Sequence, residues 1–518
     1  MKRFGNVRVA SIYVLFTVLM IGVLLCKKNF HVDELLSYGL ANDSYGMVMS
    51  VEDGVKYEPS ERPFENYLSV NAGEGFNYHY VWENQTIDVH PPLFYAVLHT
   101  ICSFFPEQFS VWYAGAINIV FGLFTLMALR KLLGELFDNV FVKNVVSIVF
   151  VLTAEVLTMV SFLRMYIMAM FWVTLTTWFF VRVVGRKWKL QDYLFIYVIS
   201  VLSALTHYYC VVYLIFICVV YGVWLLIGKR WREVVTFVGV MLGAAGTAIA
   251  IFPAMLEHVF SGYRGTQSIK NFANASITDY VNRLKGFYEF FDVQLFGGLL
   301  SIGLVLILIG ALVAFVEKKD LSKDVVGIKW LLLLIPSVLY FAVVAKMAVY
   351  IDERYVSPIF AVAIVLFAGA LYGTLSKCCD DRVKKFCLIV ISAIMVVNGW
   401  KSVEWRYLYK SSEAYIEKTE NYSDVECIMI YDMLYKTHMS YLEVANYKSV
   451  TFLHTDSSYW LADMDIANNE ELVVVLINEG EAKLSEILEM CPNLDSYEKI
   501  GGFGYGTSYY LYKTEENN

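Results

Sequence analysis

Eleven apolar runs, each about twenty residues long, dominate this chain; they fall at 9–26, 109–132, 140–161, 165–184, 191–207, 209–228, 233–256, 292–316, 329–347, 355–375 and 385–402. A run of that length matches the hydrocarbon thickness of a bilayer when it is helical. With 58% hydrophobic and only 17% charged residues over 518 positions, the chain carries more apolar surface than one water-soluble core can hide. The expected fold class is therefore an α-helical polytopic membrane protein with about eleven transmembrane helices. A formal net charge of −8 argues against a nucleic-acid partner.

Loop charge sets the topology. The stretch 91–105 is shorter, opens with Pro91 and Pro92, and carries His99. Counted as a span, it would carry the short basic loops 130–131, 182–189, 229–232, 317–323 and 377–385 to the outer face, against the rule that such loops stay in the cytoplasm. It reads instead as an interfacial helix. The N-terminus is then cytoplasmic, and the first span lacks a small-residue cleavage site, so it is retained. Long polar segments at 27–108, at 257–291 and from 403 onward share the outer face of the plasma membrane. Residues 1–402 form the membrane domain, with the external loop 27–108 carrying interfacial helices, and 403–518 form a small extracytoplasmic α/β domain. Its strands are expected at 426–431, 449–453, 471–477 and 507–512, with helices at 434–447 and 481–490. The glycine-rich 501–506 precedes a strand where a phosphate cradle would follow one, so it reads as a hairpin. The nine cysteines show no metal spacing. Only Cys427 and Cys491 lie together in a polar region whose export would allow a disulfide.

The chemistry-bearing residues sit where spans meet the outer face. Asp33 and Glu34 follow the first span; acids there suit a base or a metal ligand, and equally the start of a helix. His90 is held extended by the two prolines after it. Arg164 and Tyr166, His207 and Tyr208, and Arg354 and Tyr355 occupy three further junctions. Arginine and tyrosine often merely anchor helix ends. Cationic and imidazole groups at three junctions of one face also suit a lipid-linked phosphate, which a guanidinium grips with two parallel hydrogen bonds. Glu155 lies within the third run, two to three helical turns from Arg164, where an acid is a functional candidate. Lys346 snorkels to the interface or joins the phosphate groups. Tyr263, Arg264, Lys270, Phe272 and Tyr280 give the 257–289 segment the makings of a cover over a head group.

Taken in order, the acidic pair after the first helix, His90-Pro91-Pro92-Leu93, Arg164-Met165-Tyr166, Thr206-His207-Tyr208 and Glu353-Arg354-Tyr355 resemble the protein O-mannosyltransferase-like family (glycosyltransferase family 39). Its bacterial relatives include the lipid A aminoarabinose transferases. The resemblance covers roughly 9–402 and implies a C-type glycosyltransferase fold, a polyprenyl-phosphate sugar donor and transfer of a hexosyl or pentosyl group in the cell envelope. The acceptor class, whether lipid, protein or polysaccharide, stays open. By the same resemblance Asp33 is the base that takes the acceptor proton, Glu34 its companion, and His90 an organising residue. Arg164, Tyr166, His207 and Arg354 hold the donor phosphate, with Tyr208 and Tyr355 beside them. A divalent cation, Mg or Mn, would draw on Asp33, Glu34 and His90. One position departs from the pattern: relatives often carry an acid two residues before the arginine, where this chain has Phe162. Two other readings remain, a transporter or flippase of a lipid-linked substrate and a non-catalytic cell-envelope assembly protein.

Overall fold

A computed structural model describes residues 2–44, 46–61, 63–316 and 324–514. The basic loop 317–323 lies outside the described residues. Each of the eleven apolar runs forms helix. Seven helices are long and apolar enough to cross a membrane: Val111–Leu136, Tyr166–Val183, Tyr208–Ile227, Trp231–Ile251, Val325–Met347, Ser357–Cys378 and Asp381–Ser402. Two more candidates are bent pairs, Val140–Leu152 with Ala154–Ser161 at 48° and Ile277–Leu295 with Leu300–Gly310 at 102°. Of the remaining two runs, the first lies in the helix Lys2–Leu25, whose apolar part is Val9–Leu25, and the other forms Leu190–Thr206, just short of that length. Against the expectation of eleven full spans, the described residues give seven unbroken and two bent candidates. At the two bent pairs and at Leu190–Thr206 the reason is local: a helix break, or the cap at His207, shortens a run whose composition alone looks continuous.

The breaks are legible in the backbone. Thr153 turns extended (φ −68°, ψ 116°), ending one helix and starting the next, while its hydroxyl bonds back to the Val149 carbonyl at 2.7 Å. Glu155 consequently lies in the first turn of the second half-helix, buried, rather than in mid-span. At the sharper bend, a π-helical segment Phe290–Leu295 leads into Gly297 and Gly298, both at positive φ, before the chain resumes at Leu300.

The chain divides into two compact units that do not follow its order. The first comprises Met1–Val23, Val89–Phe94 and Ala114–Glu404. Its central helix, Tyr166–Val183, is buried along its whole length but for Arg182 in its last turn, as a helix apolar on nearly every face must be. Neighbouring helices meet it through hydroxyl contacts, Trp172 Nε1 to Thr206 at 2.9 Å and Thr177 to Tyr213 at 2.7 Å.

The second unit comprises Leu24–Asp88, Tyr95–Tyr113 and Trp405–Asn518, so the first long loop and the C-terminal region fold together. Strand β1 (Lys56–Tyr57) comes from that loop; β2 (Glu426–Tyr431), β3 (Ser449–His454), β4 (Glu471–Ile477), β5 (Ser496–Phe503) and β6 (Gly506–Tyr512) come from the C-terminal region. The sheet order is β1-β3-β2-β4-β6-β5, with β3, β2 and β4 parallel and the other pairs antiparallel. The parallel strands are near-continuous apolar runs because both faces are covered. On one side Ile428, Ile430, Val474, Leu476, Leu484 and Ile487 form the core. The stretch 501–506 is a hairpin joining β5 to β6, turning at Gly504 (φ +62°). The segment 91–105 forms a ten-residue helix, Leu93–Cys102, too short to span. Cys427 and Cys491 are both buried free thiols, which corrects the open disulfide reading. Cys491, just past the helix Ala482–Met490, belongs to the core with Ile428 and Ile430, whereas Cys427 precedes Ile428 in the strand and so faces the opposite side of the sheet.

Candidate functional site

In the first unit, four segments distant in sequence bring their polar residues together. Arg164 lies in the connection between Ala154–Ser161 and Tyr166–Val183, a turn held by Asn118, whose side-chain amide donates to the carbonyls of Val160 and Phe162 at 2.9 and 2.7 Å. Its guanidinium approaches His90 Nε2 at 3.4 Å. The His90 ring stands 5.8 Å from that of His207, and the Tyr166 ring 5.4 Å from His207. Arg354 lies in a short 3-10 helix, Glu353–Tyr355, capped by Asp352, whose carboxylate accepts from the Arg354 N–H at 3.1 Å and sits 3.4 Å from its Nε. The guanidinium carbon lies 5.7 Å from the Phe162 ring centre and 5.1 Å from that of Tyr355.

His207 is the electrical centre of the group. It sits extended between Leu190–Thr206 and Tyr208–Ile227, and its Nδ1 accepts the Tyr209 N–H at 3.1 Å, capping the second helix. Burial, then the charges of His90, Arg164 and Arg354, hold its pKa well below the usual imidazole range. The ring is neutral at physiological pH, and with Nδ1 accepting, the proton resides on Nε2. His207 thus offers a hydrogen-bond donor without adding charge, while Arg164 and Arg354 supply charge from buried positions.

Phe162, the position at which the sequence departs from the expected acid, has a positive part here. Its ring stacks on Tyr166 at 5.7 Å and receives the Arg354 guanidinium, so an aromatic face takes the place of a carboxylate. The acid that Arg354 does meet is Asp352, at the cap of its own short helix.

Other expected residues go elsewhere. The Tyr208 hydroxyl bonds His258 Nδ1 at 2.7 Å, and its neighbour Tyr209 faces Tyr355 at 5.5 Å. Tyr355 is further fixed by its carbonyl, which accepts from the Tyr340 hydroxyl at 2.7 Å. Lys346 lies over the rings of Phe272 and Tyr280 at 4.5 and 5.6 Å. Arg264 lies over Tyr263 and Tyr350. The 257–289 segment is therefore three helices, Ala254–Phe260, Tyr263–Asn274 and Ile277–Glu289, rather than a loop. The last of these carries Arg283, which sequence reasoning missed. It donates to the Ala345 and Ala348 carbonyls and interacts electrostatically with Tyr209 and Tyr355. The Tyr209/Tyr213 pair at helical spacing was a signal for that side of the site; nothing in the sequence singled out Arg283.

Asp33 and Glu34 belong to the second unit, in the first turn of Val32–Asn42. They differ sharply. Glu34 closes a capping box, accepting the His31 N–H at 2.7 Å, and both its oxygens lie 2.9 Å from Lys27 Nζ, in an ion pair with side chains 0% and 1% exposed. Lys27 also donates to the Tyr407 carbonyl at 2.6 Å, tying the loop to the C-terminal region. The Asp33 side chain is 28% exposed, with Oδ2 3.7 Å from His31 Nδ1. Of the two carboxylates, Asp33 is the one solvent or substrate can reach. Among the described residues no group of three or more His, Cys, Asp or Glu side chains is placed to hold a metal ion, so the Mg or Mn expected at Asp33, Glu34 and His90 finds no such group.

No family model matches the chain, and no curated protein matches it. Among solved structures, ArnT from Cupriavidus metallidurans, determined bound to undecaprenyl phosphate, superposes with a TM-score of 0.54 at 10% identity, covering 98% of this chain and 98% of that one. The Archaeoglobus fulgidus oligosaccharyltransferase, in complex with Zn and sulfate, gives 0.48 at 13% identity, covering 96% of this chain and 72% of that one. The likeness to ArnT extends over nearly the full length of both chains and shows the fold: a C-type glycosyltransferase fold in a multi-pass membrane protein.

Proposed function

We propose that this chain is a glycosyltransferase that moves a hexosyl or pentosyl group from a polyprenyl-phosphate donor to an acceptor hydroxyl at the outer face of the membrane. The observation that carries this reading is the gathering of Arg164, Arg354, His90 and His207, from four separate segments, around one neutral imidazole. Two guanidiniums and an uncharged N–H donor match the oxygens of a phosphate monoester or diester. The fold shared with ArnT, whose structure holds undecaprenyl phosphate, supports the same donor class.

Polyprenyl phosphate leaves readily once its charge is matched, so the protein's tasks are electrostatic stabilisation and removal of one proton. In the proposed step the acceptor oxygen attacks the anomeric carbon as Asp33 takes its proton. The bond from that carbon to the phosphate oxygen breaks, and its electron pair stays on the phosphate, where Arg164, Arg354 and the His207 Nε2–H receive the charge. Tyr166 and Tyr355 line the phosphate, and His90 orients Arg164. A single displacement inverts the anomeric centre. Loop charge supports a cytoplasmic N-terminus and an outer C-terminal region.

The test is turnover in membranes supplied with defined polyprenyl-phosphate sugars, alongside lipid-linked sugar pools in cells with and without the protein. Accumulated donor in cells that lack the protein, and lost transfer in Arg354→Ala, are the expected results. Unchanged pools would replace this reading with an assembly protein, and donor trapped on the inner leaflet would replace it with a flippase.

A further inference from the structure

The carboxyl-terminal edge of the parallel strands in the second unit carries a group of residues that the chemistry above does not use. The chain runs from β2 to β3 on one side and then crosses β2 to reach β4 on the other, so the strand order reverses at β2. Ligands of open α/β sheets bind at the carboxyl ends of the strands flanking such a reversal. Here those ends are Tyr431-Asp432, His454 and Asn478.

They are tied together by side chains. Asp53, from the turn before β1, accepts from the Tyr431 hydroxyl at 2.6 Å and from the His454 N–H at 3.1 Å. His454 Nε2 lies 3.2 Å from the Asp432 carbonyl. Asp432 Oδ2 is held by Lys436 and by the Asn478 side-chain amide at 2.9 Å, while Oδ1 has no hydrogen-bond partner among the described residues. Asn478 stands exposed in the left-handed region (φ +59°), with its N–H anchored on the Tyr505 carbonyl at 2.8 Å. Directly after β3, the 3-10 helix Thr455–Asp463 presents two aromatic residues to solvent, Tyr459 at 66% and Trp460 at 41% exposure. The Trp460 ring reaches the 53–54 turn, where Gly54 (φ +78°) has room for a Cβ only 3.7 Å from it.

We infer that this edge is a binding site for a neutral sugar chain, with the Tyr459/Trp460 pair as its stacking platform and Asn478 and the Oδ2 of Asp432 as its hydroxyl partners. His454, whose Nδ1 accepts the Asp456 N–H at 3.2 Å, fixes the edge between them. The C–H face of a pyranose packs on exposed aromatic rings, and its vicinal hydroxyls both donate and accept, which suits carboxylate and amide groups side by side. An anionic ligand fits badly: Asp53, Asp432 and Asp456 crowd the edge, and the turn after β2, Asp432-Met433-Leu434, has no glycine to cradle a phosphate.

This site stands independently of the transferase reading. The test is saturation-transfer NMR on the full chain in a detergent without a sugar head group. The probes are β1→4 and α1→4 glucose hexasaccharides, mannohexaose and chitohexaose, with hexagalacturonate as the anionic control. At least one neutral probe is expected to bind, at least tenfold more tightly than the control. Trp460→Ala, at a solvent-exposed position, and Asn478→Gly, which keeps the left-handed backbone, are each expected to weaken binding about tenfold or more; Arg354→Ala leaves it unchanged. No binding by any neutral probe, equal or stronger binding by the anionic one, or full affinity in either the Trp460 or the Asn478 variant overturns the inference.

Discussion

The two units bury charge in opposite ways. In the first, like charges collect: Arg164 and Arg354 both press on His207, which stays neutral in consequence. In the second, two buried groups are settled where they stand. Lys27 meets Glu34 in a two-oxygen contact, and Glu443, buried, is pushed up to about 8, so it is largely protonated at neutral pH. Local cancellation satisfies a fold and asks nothing further of it. Two guanidiniums set against one imidazole are costly for the fold alone and are relieved when an anion arrives, which fits the phosphate binding proposed for the first unit.

Helix Val32–Asn42 allows the sharpest break in that comparison, because it carries one carboxylate of each kind. Asp33→Asn is expected to lower turnover by about 10²–10⁴-fold, the range for a lost general base, and to leave thermal unfolding unchanged. Normal turnover in Asp33→Asn membranes would falsify the assigned base. Its neighbour should behave in reverse. Lys27→Met strands a buried Glu34 and is expected to cost about 3–5 kcal/mol of stability, seen as early loss of the second unit's tryptophan signal, whereas the paired replacement Lys27→Met with Glu34→Leu recovers most of it. If the single and double variants unfold alike, the ion pair is not what holds this loop.

In the first unit the arginines are the lever. Arg164→Ala or Arg354→Ala is expected to reduce turnover by about 10²–10³-fold, because each deprives the phosphate of a guanidinium; Arg354→Ala also leaves Asp352 without its ion pair and should unfold earlier than Arg164→Ala. Lysine at either position should rescue only partly, since a point charge lacks the two-pronged geometry. The same variants should raise the His207 pKa by removing a neighbouring positive charge, which NMR of the imidazole would report; an unmoved imidazole would mean that Arg164 and Arg354 do not act on it.

Much of this arrangement was legible in the sequence, and the exceptions share a cause. Apolar runs place the helices because hydrocarbon demands length and composition. Polar residues at span junctions stand out because they are costly elsewhere, which is why His90, Arg164, His207 and Arg354 could be picked singly. The strands β2, β3, β4 and β6 follow from apolar runs bounded by turn residues. What the sequence hid depends on pairing. β1 is two residues long and is a strand only because Thr451 and Val450 lie opposite Lys56 and Tyr57. β5 has an exposed, polar face and a bulge between Lys499 and Gly501, so its alternation is weak. Glu34 looked like a companion base until Lys27, seven residues earlier and in no recognisable motif with it, supplied a partner. Arg283 sits in an amphipathic helix like any solvated cation, and only the packing of Ile277–Glu289 against Ala345 and Ala348 brings it near Tyr355.

The smallest expected effect concerns the pH profile of the second unit, where two buried groups shift in ways that oppose each other. Glu443 accepts from the Ser508 hydroxyl at 3.1 Å, and burial raises it from an ordinary 4.5 to about 8. The folded chain therefore holds a proton that the unfolded chain releases between those values, so this contribution is complete below about 4.5 and is lost as pH rises toward 8. His438, stacked on Tyr67 at 4.5 Å and lacking a hydrogen-bond partner at either ring nitrogen among the described residues, is lowered by burial from 6.5 to about 3. Here the unfolded chain binds the extra proton, so stability is lost as pH falls from 6.5 toward 3. Between about 4.5 and 6.5 the two slopes oppose one another, and the unfolding temperature should form a plateau with a limb on each side. Glu443→Gln keeps the shape and cannot ionise, so it should lift the alkaline limb alone, by roughly 5 °C near pH 9, and match the natural protein on the acid side. His438→Gln should lift the acid limb alone. Parallel curves for Glu443→Gln and the natural chain would show that Glu443 is ionised in the fold. Burial would then be balanced by a group other than Ser508, and the contrast between a unit that cancels its charges and one that collects them would lose one of its two supports.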